Sequence, residues 1–127
     1  MKIQESAENY LETILVLEQR IAQVRSVDIA ATLGFSKPSV SVAMKKLRVA
    51  GHVTVDTDGF VVLTDEGRKI AESMLERHTI LSSWLIRLGV GEQVAADDAC
   101  RIEHVISEES FQAIKQHIEV SGGCNND

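Results

Sequence analysis

The pattern that most restricts this chain lies between Ser26 and Leu63. Val27, Ile29, Ala30 and Leu33 recur as the inner face of a short helix that Ser26 opens as a cap. Gly34 closes it, because glycine takes the left-handed conformation at a helix C-terminus without a Cβ penalty. Ser36 is a second cap, Pro38 stands in the next first turn where its missing N–H costs nothing, and Val40, Met44 and Leu47 mark a helix running to near Gly51. His52 to Val55 and Phe60 to Leu63 then form two β-branched and aromatic runs around Asp56-Thr57-Asp58-Gly59, an Asp-Gly hairpin signal. Helix, tight turn, helix and hairpin in that order predict a winged helix-turn-helix with a two-stranded wing.

The flanks are helical. Tyr10, Leu11, Ile14, Leu15 and Leu17 predict a first helix over Ser6 to Arg20, with Ser6 as its cap. Thr64 caps a long helix whose apolar positions Ile70, Met74, Ile80, Leu81, Trp84, Leu85 and Leu88 carry it to Gly89. Gly91 opens a further helix through about Ile106, and Glu108 to Val120 gives the last. The fold class is mostly α with a small β-wing. The expected domains are a winged helix over residues 1–71, a helical unit over 72–120 and a flexible tail over 121–127.

The sequence has 127 residues, the size of one domain or of a small DNA-binding unit joined to a second helical one. It has no long apolar run and no signal-peptide core, so the expected location is cytoplasmic, with no membrane partner. Cys100 and Cys124 are expected to be reduced thiols rather than a disulfide framework.

A net charge of -6 argues at first against a nucleic-acid partner. Its distribution answers the objection. Residues 1–70 carry 9 basic and 9 acidic side chains, whereas residues 71–127 carry 4 and 10. Lys37, Lys45, Lys46 and Arg48 fall in an acid-free run over residues 36–50. By themselves four such charges read as a solvated helix face. On the second helix of a helix-turn-helix they suit phosphates, with Ser36, Pro38, Ser39 and Ser41 short enough to approach base edges.

Cys100, Glu103 and His104 stand at i, i+3 and i+4, so thiol, carboxylate and imidazole project from one helix face. Any one alone reads as structural. Together they are three metal-ligand chemistries within five residues. Asn9 and Glu12, at i and i+3 on the first helix, and His78 on the long helix could add ligands, although each taken singly reads as an ordinary surface group.

From about Ser6 to Val120 the chain resembles the DtxR/MntR family of metal-dependent transcriptional repressors. The resemblance is carried by Glu8-Asn9-Tyr10-Leu11, Ser36-Lys37-Pro38-Ser39-Val40-Ser41, Leu63-Thr64-Asp65-Glu66-Gly67 and Asp98-Ala99-Cys100-Arg101-Ile102-Glu103-His104-Val105-Ile106-Ser107. It implies a winged helix followed by a helical dimerisation and metal-binding domain, a homodimer on palindromic double-stranded operator DNA, and control of metal-uptake genes. It further implies Cys100, Glu103 and His104 as regulatory ligands, His78 as an ancillary-site ligand and Glu12 as a ligand of the manganese branch. Cysteine at position 100 is the iron-type choice, so iron(II) is the expected ion, with manganese(II) the alternative and other divalent transition metals binding in vitro. The pattern departs at Asn9, where members carry Met or Asp, and at Ser82 and Ala96, where iron-type members place ancillary ligands. The two-domain plan is that of the manganese branch.

Three other readings stand beside this one. A winged-helix regulator in which Cys100 is oxidised would lose DNA binding with peroxide and ignore chelators. A winged-helix adapter would lack salt-dependent DNA binding. A metal-dependent enzyme is disfavoured, since the sequence offers no evident nucleophile, phosphate loop or pocket-forming sheet.

Overall fold

A computed structural model describes the backbone of residues 3–120 and the side chains of residues 6–120. Six helices and a small three-stranded sheet make up the described residues. In chain order they are α1 (Ile3–Glu18), β1 (Val24–Arg25), α2 (Ser26–Leu33), α3 (Lys37–Val49), β2 (Val53–Val55), β3 (Phe60–Leu63), α4 (Asp65–Arg87), α5 (Glu92–Val105) and α6 (Glu108–Val120). The chain divides into two units, Met1–Ser73 and Met74–Asp127. No helix among the described residues is long and apolar enough to cross a membrane.

In the first unit α1 buries Tyr10, Leu11, Ile14, Leu15 and Leu17, the stripe expected from the sequence. Full burial of one such aliphatic side chain stabilises by about 1.5 to 3 kcal/mol. Ile29 of α2 and Val40, Met44 and Leu47 of α3 are also buried. Gly34, at φ 72°, ends α2 in the left-handed conformation, and its N–H donates to the Ala30 carbonyl. The Phe35 ring meets that of Tyr10 edge-on at 6.0 Å between centroids.

Three local expectations need correction. Ser6 is not a cap, because α1 begins at Ile3 and ends at Glu18 rather than Arg20. Ser26 is already helical; α2 is entered from Arg25, whose backbone N–H donates to the Asp28 carboxylate at 2.9 Å. The wing is not two-stranded, because the short β1 adds to it antiparallel, giving the order β1-β3-β2 with Val24 opposite Val61 and Val53 opposite Leu63. The Arg25 guanidinium lies over the Phe60 ring, 4.5 Å from its centroid.

The Thr64 hydroxyl joins the wing to α4. It donates to the Gly51 carbonyl at 2.7 Å and accepts from the Gly67 N–H at 3.1 Å, so one side chain caps the helix and fastens it to the turn before β2. Gly67 passes so close to the His52 backbone that a Cβ there would collide with the His52 carbonyl.

The second unit is built on Leu81, Ala99 and Phe111, one from each of α4, α5 and α6, with Ile80, Trp84, Ile102, Ile106 and Ile114 packed around them. Gly91 serves as N-cap of α5 in an extended conformation. Lys115 of α6 pairs with Glu76 of α4 at 2.6 Å. The tail at 121–127 lies outside the described residues.

Candidate metal centre and nucleic-acid interface

The last two turns of α5 carry the metal-type residues. Glu103 is completely buried, yet it ends in a carboxylate. An isolated buried carboxylate costs several kcal/mol, so a stable one requires positive charge or hydrogen-bond donors around it. His78, reaching from α4, places Nδ1 2.9 Å from Glu103 Oε1. His104, next along α5, places Nε2 3.3 Å from Oε2, and its side chain is only 3% exposed. Ligand atoms of Cys100, Glu103 and His104 all lie within 4.8 Å of one another. Donors bonded to one first-row ion at about 2.0 to 2.3 Å stand roughly 3 to 4.5 Å apart. The cluster therefore fits one cation after small side-chain adjustment, with Cys100 at its surface-facing edge. Thiolate, carboxylate and imidazole together suit borderline divalent ions.

The i, i+3, i+4 spacing thus brings together the three residues it was expected to, and His78 joins them through Glu103. Asn9 and Glu12 lie one turn apart on α1 in the first unit, Asn9 half-buried and Glu12 buried. Sequence reasoning missed Arg77. It lies on the seam between Met74 and Leu81, and a charge at an apolar position of a helical repeat is the signal that could have found it.

The other expected surface is α3. Lys37, Pro38, Ser39, Ser41, Lys45 and Lys46, together with Ser36 before the helix, are all exposed, while Val40, Met44 and Leu47 turn inward. The Ser36 hydroxyl is committed to capping: it accepts from the Ser39 N–H at 3.3 Å and donates to Ser39 Oγ at 2.8 Å. That leaves the Ser39 and Ser41 hydroxyls as the uncommitted donors at the helix start. Lys37, Ser41 and Lys45 follow one another at i, i+4 and i+8 on the outer face. At the wing tip the Asp56 carboxylate accepts from the N–H groups of Asp58 and Phe60, both at 2.9 Å. Asp56 is thus a turn-forming residue, which accounts for an acid at this position.

Two family models cover nearly the whole chain. Residues 2–61 match the iron dependent repressor N-terminal DNA binding domain, and residues 64–124 match the iron dependent repressor metal binding and dimerisation domain. Transcriptional regulator MntR of Escherichia coli O157:H7 is 36% identical over 118 residues, which is 93% of this chain and 76% of that protein. The chain belongs to the DtxR/MntR family. As a DtxR/MntR protein it is a metal-dependent, DNA-binding transcriptional repressor, not an enzyme. An uncharacterized HTH-type transcriptional regulator of Methanocaldococcus jannaschii is 29% identical over 117 residues, 91% of this chain and 94% of that protein. Among solved structures, a manganese-dependent transcriptional repressor in complex with manganese superposes with a TM-score of 0.81 at 30% identity, covering 89% of this chain and 52% of that one. The chain therefore spans about half the length of that structure.

Proposed function

We propose that this DtxR/MntR repressor senses iron(II) through Cys100, Glu103, His104 and His78 and, as a cytoplasmic homodimer, binds a palindromic operator at metal-uptake genes. The observation that carries this reading is the buried Glu103 carboxylate bracketed by two imidazoles with the Cys100 thiol beside it. Cys100 favours iron over manganese, because a hard ion preferring oxygen ligands gains little from a thiolate. A bound divalent ion supplies positive charge that offsets the Glu103 carboxylate and the Cys100 thiolate. His78 orients the carboxylate by donating from Nδ1 to Oε1. Asn9 and Glu12 are proposed as further ligands on the family resemblance. Manganese(II) is the second reading, favoured by relatives named MntR and by the manganese complex among the similar structures.

On the DNA side α3 is proposed to enter the major groove, with Ser39, Ser41 and Pro38 at base edges and Lys37, Lys45 and Lys46 on phosphates. In a dimer the two α3 helices would address half-sites about 34 Å apart. Leu85, Leu88 and Ile118, only partly covered or exposed in the second unit, are the residues proposed for the dimer contact, whereas Trp84 and Ile114 already pack on that unit's own core. Metal affinity and operator affinity are then reciprocally coupled, by about 1 to 3 kcal/mol in systems of this kind.

The test is an anaerobic cobalt(II) titration of the reduced chain, read by absorption, followed by operator binding with iron(II) against manganese(II). A saturable thiolate charge-transfer band is expected in the parent and absent in Cys100→Ser. No band, with manganese-activated DNA binding intact, would replace the iron reading by the manganese one. DNA binding lost with peroxide but indifferent to chelator would replace both by a thiol redox regulator. For the interface, Lys45→Ala and Lys46→Ala are each expected to weaken binding across all DNA sequences and to lower the slope of log K against log salt by about 1. An unchanged slope would remove those lysines from the phosphate contacts.

A further inference from the structure

Arg77 is the only buried cationic side chain among the described residues, and its partners are unusual for a helix seam. Its Nη1 donates to the main-chain carbonyl of Glu103 at 2.9 Å and to that of Ile106 at 2.8 Å. Its Nη2 pairs with the Glu108 carboxylate at 3.0 Å, and its Cζ stands 5.4 Å from the centroid of the Phe111 ring. The two carbonyls belong to the end of α5, where a helix runs out of internal donors and its dipole favours a cation.

Packing alone does not call for this residue. A buried charge is costly, and an apolar side chain of similar volume would fill the seam against Phe111 as well or better. The guanidinium even leaves its Nε buried without a partner. What the charge accomplishes is to fix the turn of α5 that carries Glu103 and His104. The next residue along α4 completes the arrangement. Arg77 holds the main chain of Glu103 while His78 meets its carboxylate, so two consecutive residues of α4 set both ends of one ligand.

We propose that Arg77 is a positioning residue of the metal centre, locking the C-terminal turn of α5 so that the Glu103 and His104 donors face the ion. The proposal rests on the metal-site reading given above. Residues that orient metal ligands without touching the ion typically account for 10- to 100-fold in affinity.

The test compares full-length parent, Arg77→Met, Arg77→Lys and Lys115→Met by cobalt(II) titration, with amide exchange of the α5 terminus followed in the metal-free chains. Lys115→Met is the control, because it breaks a different bridge between α4 and α6, at Glu76, without touching α5. Arg77→Met is expected to weaken cobalt binding at least tenfold, to shift the thiolate charge-transfer band and to speed exchange at the end of α5. Arg77→Lys, which restores one donor, is expected to recover part of the affinity. Lys115→Met is expected to match the parent. Equal cobalt affinity and spectra for Arg77→Met and Lys115→Met would overturn the proposal. If Arg77→Met does not fold, Arg77→Lys and Glu108→Gln decide: weakening of threefold or more with a shifted band supports the clamp, and parental values overturn it. A parent chain with no saturable cobalt band would instead overturn the metal centre, a distinguishable result.

Discussion

Glu103→Gln is expected to leave the chain folded and to remove its response to metal. Glutamine keeps the shape of the side chain, and its amide oxygen can still accept from His78 Nδ1, so the interior at this completely buried position stays filled and hydrogen-bonded. What disappears is the negative charge, the component of the donor set that most attracts a divalent ion. Cobalt(II) affinity should fall on the order of a hundredfold or more, beyond the range seen when only a supporting residue is lost. The metal-free variant should melt at or above the parent temperature, because a buried carboxylate carries a desolvation penalty that the amide lacks. Calorimetry of both metal-free proteins, with a cobalt titration of each, separates the two effects. Parental affinity in a folded Glu103→Gln chain would take the carboxylate out of the coordination sphere.

Gly67→Ala is expected to be the most damaging single-methyl change in the first unit. The added Cβ would run into the His52 carbonyl oxygen, with the carbonyl carbon and Cα behind it, all backbone rather than the yielding end of a side chain. The first turn of α4 cannot simply lift away, because Thr64 ties it to Gly51 and donates its own N–H to the His52 carbonyl. Overpacking of this kind costs about 1 to 3 kcal/mol, and the rigidity of the neighbour puts Gly67→Ala at the upper end. Thermal unfolding should show a midpoint lower by roughly 10 °C. A midpoint within about 2 °C of the parent would mean that the His52 carbonyl gives way at little cost.

The helix-turn-helix was legible because it depends on local chemistry. Gly34, Ser36 and Pro38 act within a few residues of where they stand, and the structure uses Gly34 and Ser36 as the sequence implied. The grouping of Cys100, Glu103 and His104 was legible for the same reason, since helical spacing alone puts the three on one face. What escaped depends on partners distant in sequence. β1 has only two residues, too few to show any alternation, and it exists because Val61 and Phe60 offer it an edge. Ser6 has the chemistry of a cap, but helical pairing continues past it toward Ile3. The partners of Arg77 escaped for the same cause: a charge on an apolar seam marks the position, but nothing near it in sequence says that carbonyls 26 and 29 residues onward need a donor.

The proposed metal centre is assembled from two kinds of distance along the chain. Cys100, Glu103 and His104 come from a single stretch of α5, so forming one helix brings all three together with no loop to close. His78 lies 25 residues before Glu103 and reaches it only when α4 and α5 have packed. Loop-closure entropy therefore falls on one arm of the site and not on the other. On the way to the native state the α5 donors can gather as soon as that helix forms, on the microsecond scale of helix formation, and the arm from α4 arrives with tertiary structure. Any opening that separates α4 from α5 would remove the His78 contact and leave the three α5 side chains together on one helix.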